Sequence, residues 1–397
     1  MTLNRALLLS LVVGAAGWAT IWFSTDARAG WDSLVYHKYA FEYAGLDPDQ
    51  QDALSWELFT RYGSPNLVSY VSETLDGRAW HFDVEPISRR WALQYRMRPA
   101  YPTLVAAGYP LLGTRSPLAV SAFAVVLFVV TTFVGLKMLA GQRVAMIATG
   151  LGIFNLLFTP WLVALMTDGL AISLWAVTLT SGALWIAQRR PIWLGALGLA
   201  VLALCLTRPI GVLAPAVFGL SAIAAAVARA DAWRPLLAAT LVAAVPALAA
   251  TTVFAAAGFP GFFDLLQDLP TGHFSTPDIA DPVGWTVSNV GYQVTQTLLV
   301  GLLARPLVLA LVAGAVAGLV LAGRWWTAPF LASLLVLPIS YVVHPETSEL
   351  ARTLAPAWVS VHAGLALFVV LGAIRWRARV LELADRLTRH ETATPAA

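Results

Sequence analysis

The sequence predicts an all-α polytopic membrane protein, and three observations carry that prediction. Only 12% of the 397 residues are charged, against about 25% in a soluble domain. Hydrophobic residues make up 58%, and the mean hydropathy is +0.72. Apolar runs long enough for a bilayer recur along the whole chain. A soluble enzyme of this length needs a charged skin that is missing here. Disorder, coiled coil and collagen fall to the same arithmetic. The net charge of +3 fits basic loops facing an anionic leaflet. No basic run is interleaved with base-stacking aromatics, so nucleic acid is not expected as a partner. Cys205 stands alone, which excludes an internal disulfide and a cysteine metal site.

The expected spans are 6–23, 116–139, 143–159, 167–187, 191–206, 209–228, 235–256, 305–322, 325–343 and 354–374. The first doubles as a candidate signal peptide, because Ala27-Arg28-Ala29 fits an A-x-A cleavage site. Against cleavage, its apolar run is long and contains Trp18, Trp22 and Phe23. With a cytoplasmic N-terminus, Arg5, Lys137, Arg143, Arg189, Arg190, Arg229, Arg234, Arg324, Arg375, Arg377 and Arg379 all collect inside. That is the positive-inside pattern. It also decides two ambiguous stretches, 99–113 and 286–303, because either one crossing alone reverses everything after it. Both are therefore expected to be re-entrant or surface-lying. The expectation is ten spans with both termini cytoplasmic, in a multi-pass protein of the bacterial type of inner membrane.

The acids go the other way. Of 22 acidic residues, only Asp231, Glu382, Asp385 and Glu391 fall inside. Most of the rest lie in two outer loops, 24–115 and 257–304, within one membrane-embedded domain over 1–374. An outward-facing site needs such material, whereas a transporter needs little outside its bundle. No internal repeat is visible, which weakens an inverted-repeat transporter. The segment 375–397 follows as a cytoplasmic tail. Trp376, Val380, Leu383 and Leu387 at helical spacing give it an amphipathic face, either on the membrane surface or as the solvated end of the last span.

Candidate chemistry begins directly after the first span. Asp32, Tyr36, Tyr39 and Tyr43 recur at helical spacing, which predicts one face of a helix ending near Gly45. Asp32 is then a candidate N-cap, a position that suits a carboxylate. Four further elements reach the same outer side: Arg96-Met97-Arg98-Pro99-Ala100-Tyr101-Pro102, Thr167-Asp168-Gly169, Thr207-Arg208-Pro209, and Glu349-Leu350-Ala351-Arg352-Thr353-Leu354-Ala355-Pro356. Singly, such residues serve as interfacial anchors. Together they put acids near some helix ends and arginines near others. His37, His81, His273 and His344 also face outward, without H-x-x-x-H spacing for a metal. The small-residue runs Gly211 to Val227 and Ala238 to Ala257 suit close helix packing.

In these elements and their order, the chain resembles the GT-C superfamily of integral-membrane glycosyltransferases. The shared pattern is an acidic residue with an aromatic four on, opening a large outer loop that bears surface helices. An Arg-Pro-x-Tyr-Pro-type element follows, then Thr-Asp, then Arg-Pro, then a late Arg before Leu-x-Pro. One departure is that Asp32 is followed by Ser33, where many relatives have a second acid. Asp168, Asp83 and Glu85 are the substitutes, and a divalent cation stays open. The resemblance implies an inverting transfer of sugar from a polyprenyl-phosphate-linked donor to a hydroxyl of a glycan, lipid or protein acceptor. It assigns catalysis to Asp32 and Asp168, with Asp32 as base. Donor phosphate falls to Arg352, with Arg98 and Arg208 behind it, and substrate contacts to Tyr36, Tyr101 and His81. A guanidinium suits the phosphate because it offers a planar fork and stays charged. The competing expectation is a lipid or sugar transporter or flippase, with its ionisable residues nearer the bilayer midplane.

Overall fold

A computed structural model describes residues 29–75, 92–260, 262–268, 270–272, 276–293, 305–343 and 350–392, together with scattered positions among 5–19. Every regular element among the described residues is a helix, and the sole β-bridge joins Ala29 to Gly63. Among the described residues, five helical stretches are long and apolar enough to cross a membrane: Ala100–Ala140, Thr167–Gln188, Pro209–Val227, Trp233–Ala256 and Ala355–Glu382. Shorter apolar helices lie at Gln142–Phe154, Pro191–Cys205, Pro306–Leu321 and Trp325–Ile339. This is a helical, membrane-embedded protein. Leu199, Val227, Val245 and Leu248 point away from the bundle, as lipid-facing side chains do.

Several expected spans match helices within a few residues. The expected span 143–159 is broken: its helix stops at Phe154, Asn155 takes an extended backbone, and a single turn Thr159–Leu162 follows. The side chain of Asn155 is spent on the break, accepting the Leu157 N–H at 3.0 Å and meeting His362 Nε2 at 3.0 Å. The stretch 99–113 forms a helix, Ala100–Leu112, that joins Ser116–Ala140 through a 3-10 turn. Gly113 permits that junction, since its φ of 56° is strained for any side chain. Thirteen residues rise only about 20 Å, short of the ~30 Å hydrocarbon core. The stretch 286–303 is described only in part, within a helix Pro282–Gln293, and the expected span 6–23 lies largely outside the described residues. The tail is not a separate helix: Trp358–Thr392 runs unbroken from the last apolar stretch.

Two apolar cores result among the described residues. The larger fills the bundle around Phe128, Trp175, Phe218 and Phe330. The smaller packs three helices of the first loop against the bundle: α1 (Trp31–Tyr43), α2 (Pro48–Tyr62) and α3 (Pro65–Leu75). Its centre is aromatic, with Tyr36, Tyr39, Phe59 and Tyr101. Met166 and Leu170 belong to the small core and Ala171 to the large one. Asp168 therefore stands at the seam between them.

Candidate functional site

Local sequence explains why charged side chains meet at that seam. Helix α1 begins after its cap residue Gly30, whose N–H donates to Ser33 Oγ at 3.0 Å. This corrects the expectation that Asp32 is the cap. Asp32 lies in the first turn, where the helix dipole favours its carboxylate and no capping bond holds it back. Asp168 occupies the same position in Thr167–Gln188, again one residue inside a helix start. Arg208 follows the helix Pro191–Cys205 and precedes Pro209, which disfavours helical backbone before it. Its φ of −153° and ψ of 148° are extended accordingly. A Cβ on Gly211 would lie 2.7 Å from the Cys205 nitrogen, so glycine lets this turn fold back on the helix end. Arg352 sits in a short helix, Leu350–Thr353, ahead of the turn at Pro356.

The four side chains form one network. Arg352 donates from Nη2 to Asp32 Oδ2 at 2.5 Å and from Nε to Asp168 Oδ1 at 3.0 Å. Arg208 donates from Nη1 to the same Asp168 oxygen. The other oxygen of Asp32 accepts from the Tyr95 hydroxyl at 2.7 Å. Arg98 joins through phenols: its Nη1 donates to the Tyr36 hydroxyl at 2.7 Å, and its guanidinium lies 5.6 Å from the Tyr95 ring centre. Thr167 Oγ1 also reaches the Tyr36 hydroxyl, at 3.4 Å. Two groups are left over. Asp168 Oδ2 and Arg98 Nε are buried and meet no hydrogen-bond partner among the described residues. A backbone bond from Ala100 N–H to the Leu206 carbonyl, 3.0 Å long, ties the Arg98 and Arg208 segments together.

Burial grades the network. The Asp168 side chain is 1% exposed and Arg352 8%, whereas Arg208 and Asp32 keep 18% and 16%. Burial alone pushes the Asp32 carboxyl upward, but Arg352, the Tyr95 hydroxyl and Arg98 outweigh it and hold the group near about 2. The Tyr95 phenol moves the other way, well above its usual range, because it is buried beside the Asp32 charge. His37 is fully buried, which pushes it down to about 3, and its Nε2 lies 3.4 Å from the Tyr101 hydroxyl.

Of the residues singled out from sequence, Asp32, Asp168, Arg208 and Arg352 meet directly, and Arg98 and Tyr36 adjoin them. Tyr101 stands one layer back, against His37 and the edge of Tyr36. Tyr36, Tyr39 and Tyr101 are buried in the wall and offer no open ring face. His81, Asp83, Glu85, His273 and His344 lie outside the described residues. Tyr95 was missed, although it directly precedes Arg96 in one of the quoted runs. Among the described residues, no three His, Cys, Asp or Glu side chains gather to hold a metal ion. Asp32 and Asp168 face guanidiniums instead, surroundings that disfavour a further cation. Compared with models of known protein families and with curated proteins, the chain matches none.

Proposed function

We propose that this chain is a glycosyltransferase of the GT-C type, moving a sugar from a polyprenyl phosphate to an acceptor hydroxyl on the extracytoplasmic face. The observation that carries the reading is the meeting of Asp32 with Arg352, 320 residues apart, over an Asp168 shared with Arg208. A membrane protein with so few charges gathers several of them at helix ends beside one seam. Charged groups within a span cost on the order of 2.5–3.5 kcal/mol each by insertion scales, so such a cluster calls for a purpose. Among the described residues it sets Arg98, Arg208 and Arg352 against two carboxylates, Asp32 and Asp168. That leaves an excess of positive charge, which suits an anionic phosphate.

In this reading Asp32 takes the proton of the acceptor hydroxyl as its oxygen attacks the anomeric carbon. The bond from that carbon to the phosphate oxygen breaks, configuration inverts, and the guanidiniums meet the charge released. Asp168 fixes Arg352 and Arg208 in relation to each other. The topology proposed with it has ten spans and both termini in the cytoplasm, so that the charged seam faces outward with the first loop as its cover. The acceptor is a glycan, lipid or protein hydroxyl, and loop 24–115 selects it.

The test is transfer of labelled sugar from polyprenyl-phosphate donors in vesicles holding the full chain. Replacing Asp32 by Asn should lower the rate about 10²–10⁴-fold with normal insertion. Arg352→Ala should raise the donor KM more than the acceptor KM. Full activity in Asp32→Asn sinks the base assignment, and solute uptake without any covalent product favours a transporter instead.

A further inference from the structure

We propose that Arg352 is exchanged between Asp32 and the donor phosphate, so that the base is released only once the donor is seated, while Tyr95 keeps the carboxylate in place. The inference rests on the glycosyltransferase reading and concerns the working of that same site. It starts from how the oxygens of Asp32 are divided. Oδ1 accepts from Tyr95 at 2.7 Å and Oδ2 from Arg352 at 2.5 Å. A carboxylate bonded at both oxygens, one of them to a guanidinium, is a poor proton acceptor, because a base works best poised near the ambient pH.

The two grips differ in how easily they are lost. Tyr95 is buried, its ring packed edge-on against Tyr36 at 5.2 Å and beneath the Arg98 guanidinium. It has no reason to let go when an anion arrives. Arg352 is held at Nε by Asp168, which Arg208 also grips, so its Nη2 edge can turn while the Nε edge stays anchored. A phosphate competes for that edge with a better geometric match than a lone carboxylate oxygen. The groups facing Asp32 are Tyr95, Arg352 and Arg98, with Asp168, Arg208 and Tyr36 in contact behind them. Among these, Arg352 is the cation bonded to Asp32, so its departure is the largest change available.

The cycle balances. Donor phosphate takes Nη2, and Asp32 Oδ2 becomes free to accept the proton of the acceptor hydroxyl. The hydroxyl oxygen bonds to the anomeric carbon, and the electron pair of the broken bond stays on the phosphate. When the polyprenyl phosphate leaves, Arg352 returns to Asp32 and drives the proton off it. Before the donor binds, the same pairing leaves water unactivated at the site.

Proton linkage tests this without turnover. The purified full chain is titrated with a polyprenyl phosphate at pH 4, in two buffers of different ionisation enthalpy, to count protons taken up. An Asp32 returned to the ordinary range near 3.9 is about half protonated there. Wild type should therefore take up roughly half a proton per lipid more than Asp32→Asn, in which the titration of the lipid itself is unchanged. Arg352→Gln should lose that difference and bind more weakly. Tyr95→Phe should bind equally well, with uptake beginning at higher pH. If Asp32→Asn does not fold, the Tyr95→Phe onset decides the matter, and an unshifted onset overturns the proposal. Lipid binding with equal uptake in wild type and Asp32→Asn also overturns it. A wild type that binds no polyprenyl phosphate overturns the glycosyltransferase reading itself.

Discussion

The seam at Asp168 and the interior of the bundle handle polar groups in opposite ways. Inside the bundle many of them are neutral hydroxyls bonded near home: Thr178 donates to the Leu174 carbonyl, Ser221 to Val217 and Thr240 to Leu236, each one turn back. Ser333 and Ser360 pair across two helices at 2.6 Å, still without charge. At the seam the groups are ionised, and their partners lie 40, 184 and 320 residues away. A neutral hydroxyl satisfied by its own helix costs the fold little and specifies little. A charge satisfied only by distant segments makes the whole arrangement conditional on every one of them.

The largest effect should therefore come from Asp168→Ala. It leaves two guanidiniums without their shared acceptor, and breaking a buried pair in this way costs about 3–5 kcal/mol. Unfolding in mixed detergent micelles measures it. A loss below about 1 kcal/mol would mean that Arg208 and Arg352 find other partners and that the contrast with the bundle is false. Asp32→Ala should cost less, since Asp32 is more exposed and holds one of these arginines rather than two.

Acid should act next, and the small core should respond to it. His37 is lowered from 6.5 to about 3 when folded, so below pH 6.5 the unfolded chain binds the extra proton. Its contribution is full above pH 6.5 and is lost as the pH falls toward 3. Asp32, lowered from 3.8 to about 2, adds stability above pH 3.8 that disappears as the pH falls through 2. Stability should thus decline in two stages on acidification, and His37→Gln should make the first shallower while leaving the second. An unchanged slope between pH 6 and pH 4 in that variant would remove His37 from the account.

Smaller effects belong to the hydroxyls. Ser173 reaches two carbonyls, those of Ala124 on the neighbouring helix and Gly169 on its own, at 2.7 and 2.8 Å. Ser173→Ala should cost about 1 kcal/mol. Thr240→Ala touches only its own turn and should change stability by less than about 0.5 kcal/mol. If the two hydroxyl variants ranked the other way, the distinction between bonds within and between helices would carry no energetic weight.

The same distinction separates what was legible in the sequence from what was not. Apolar runs and the helical spacing from Asp32 to Tyr43 are local properties, and they read directly. The resemblance singled out Asp32, Asp168, Arg208 and Arg352, but nothing in their spacing says which acid meets which arginine. Tyr95 escaped for a related reason. A phenol 63 residues from Asp32 has no local signature as its partner. The break at Asn155 was hidden too, because the apolar run continues through it and its other partner, His362, lies 207 residues on. Capping was misassigned because the helix starts earlier than an Asp32 cap requires: Gly30 is the cap residue, and Ser33, three residues on, accepts its N–H.

The last helix carries a consequence of its own. Trp358–Thr392 contains 35 residues and no proline, a rod of roughly 50 Å. A bilayer core of about 30 Å leaves about 20 Å of it standing clear. Its first residues follow within one turn of the segment that carries Arg352. Because the rod has no hinge, a tilt imposed on the protruding end reaches the other end as a displacement. In mechanical terms, the charged seam sits at one end of a stiff lever.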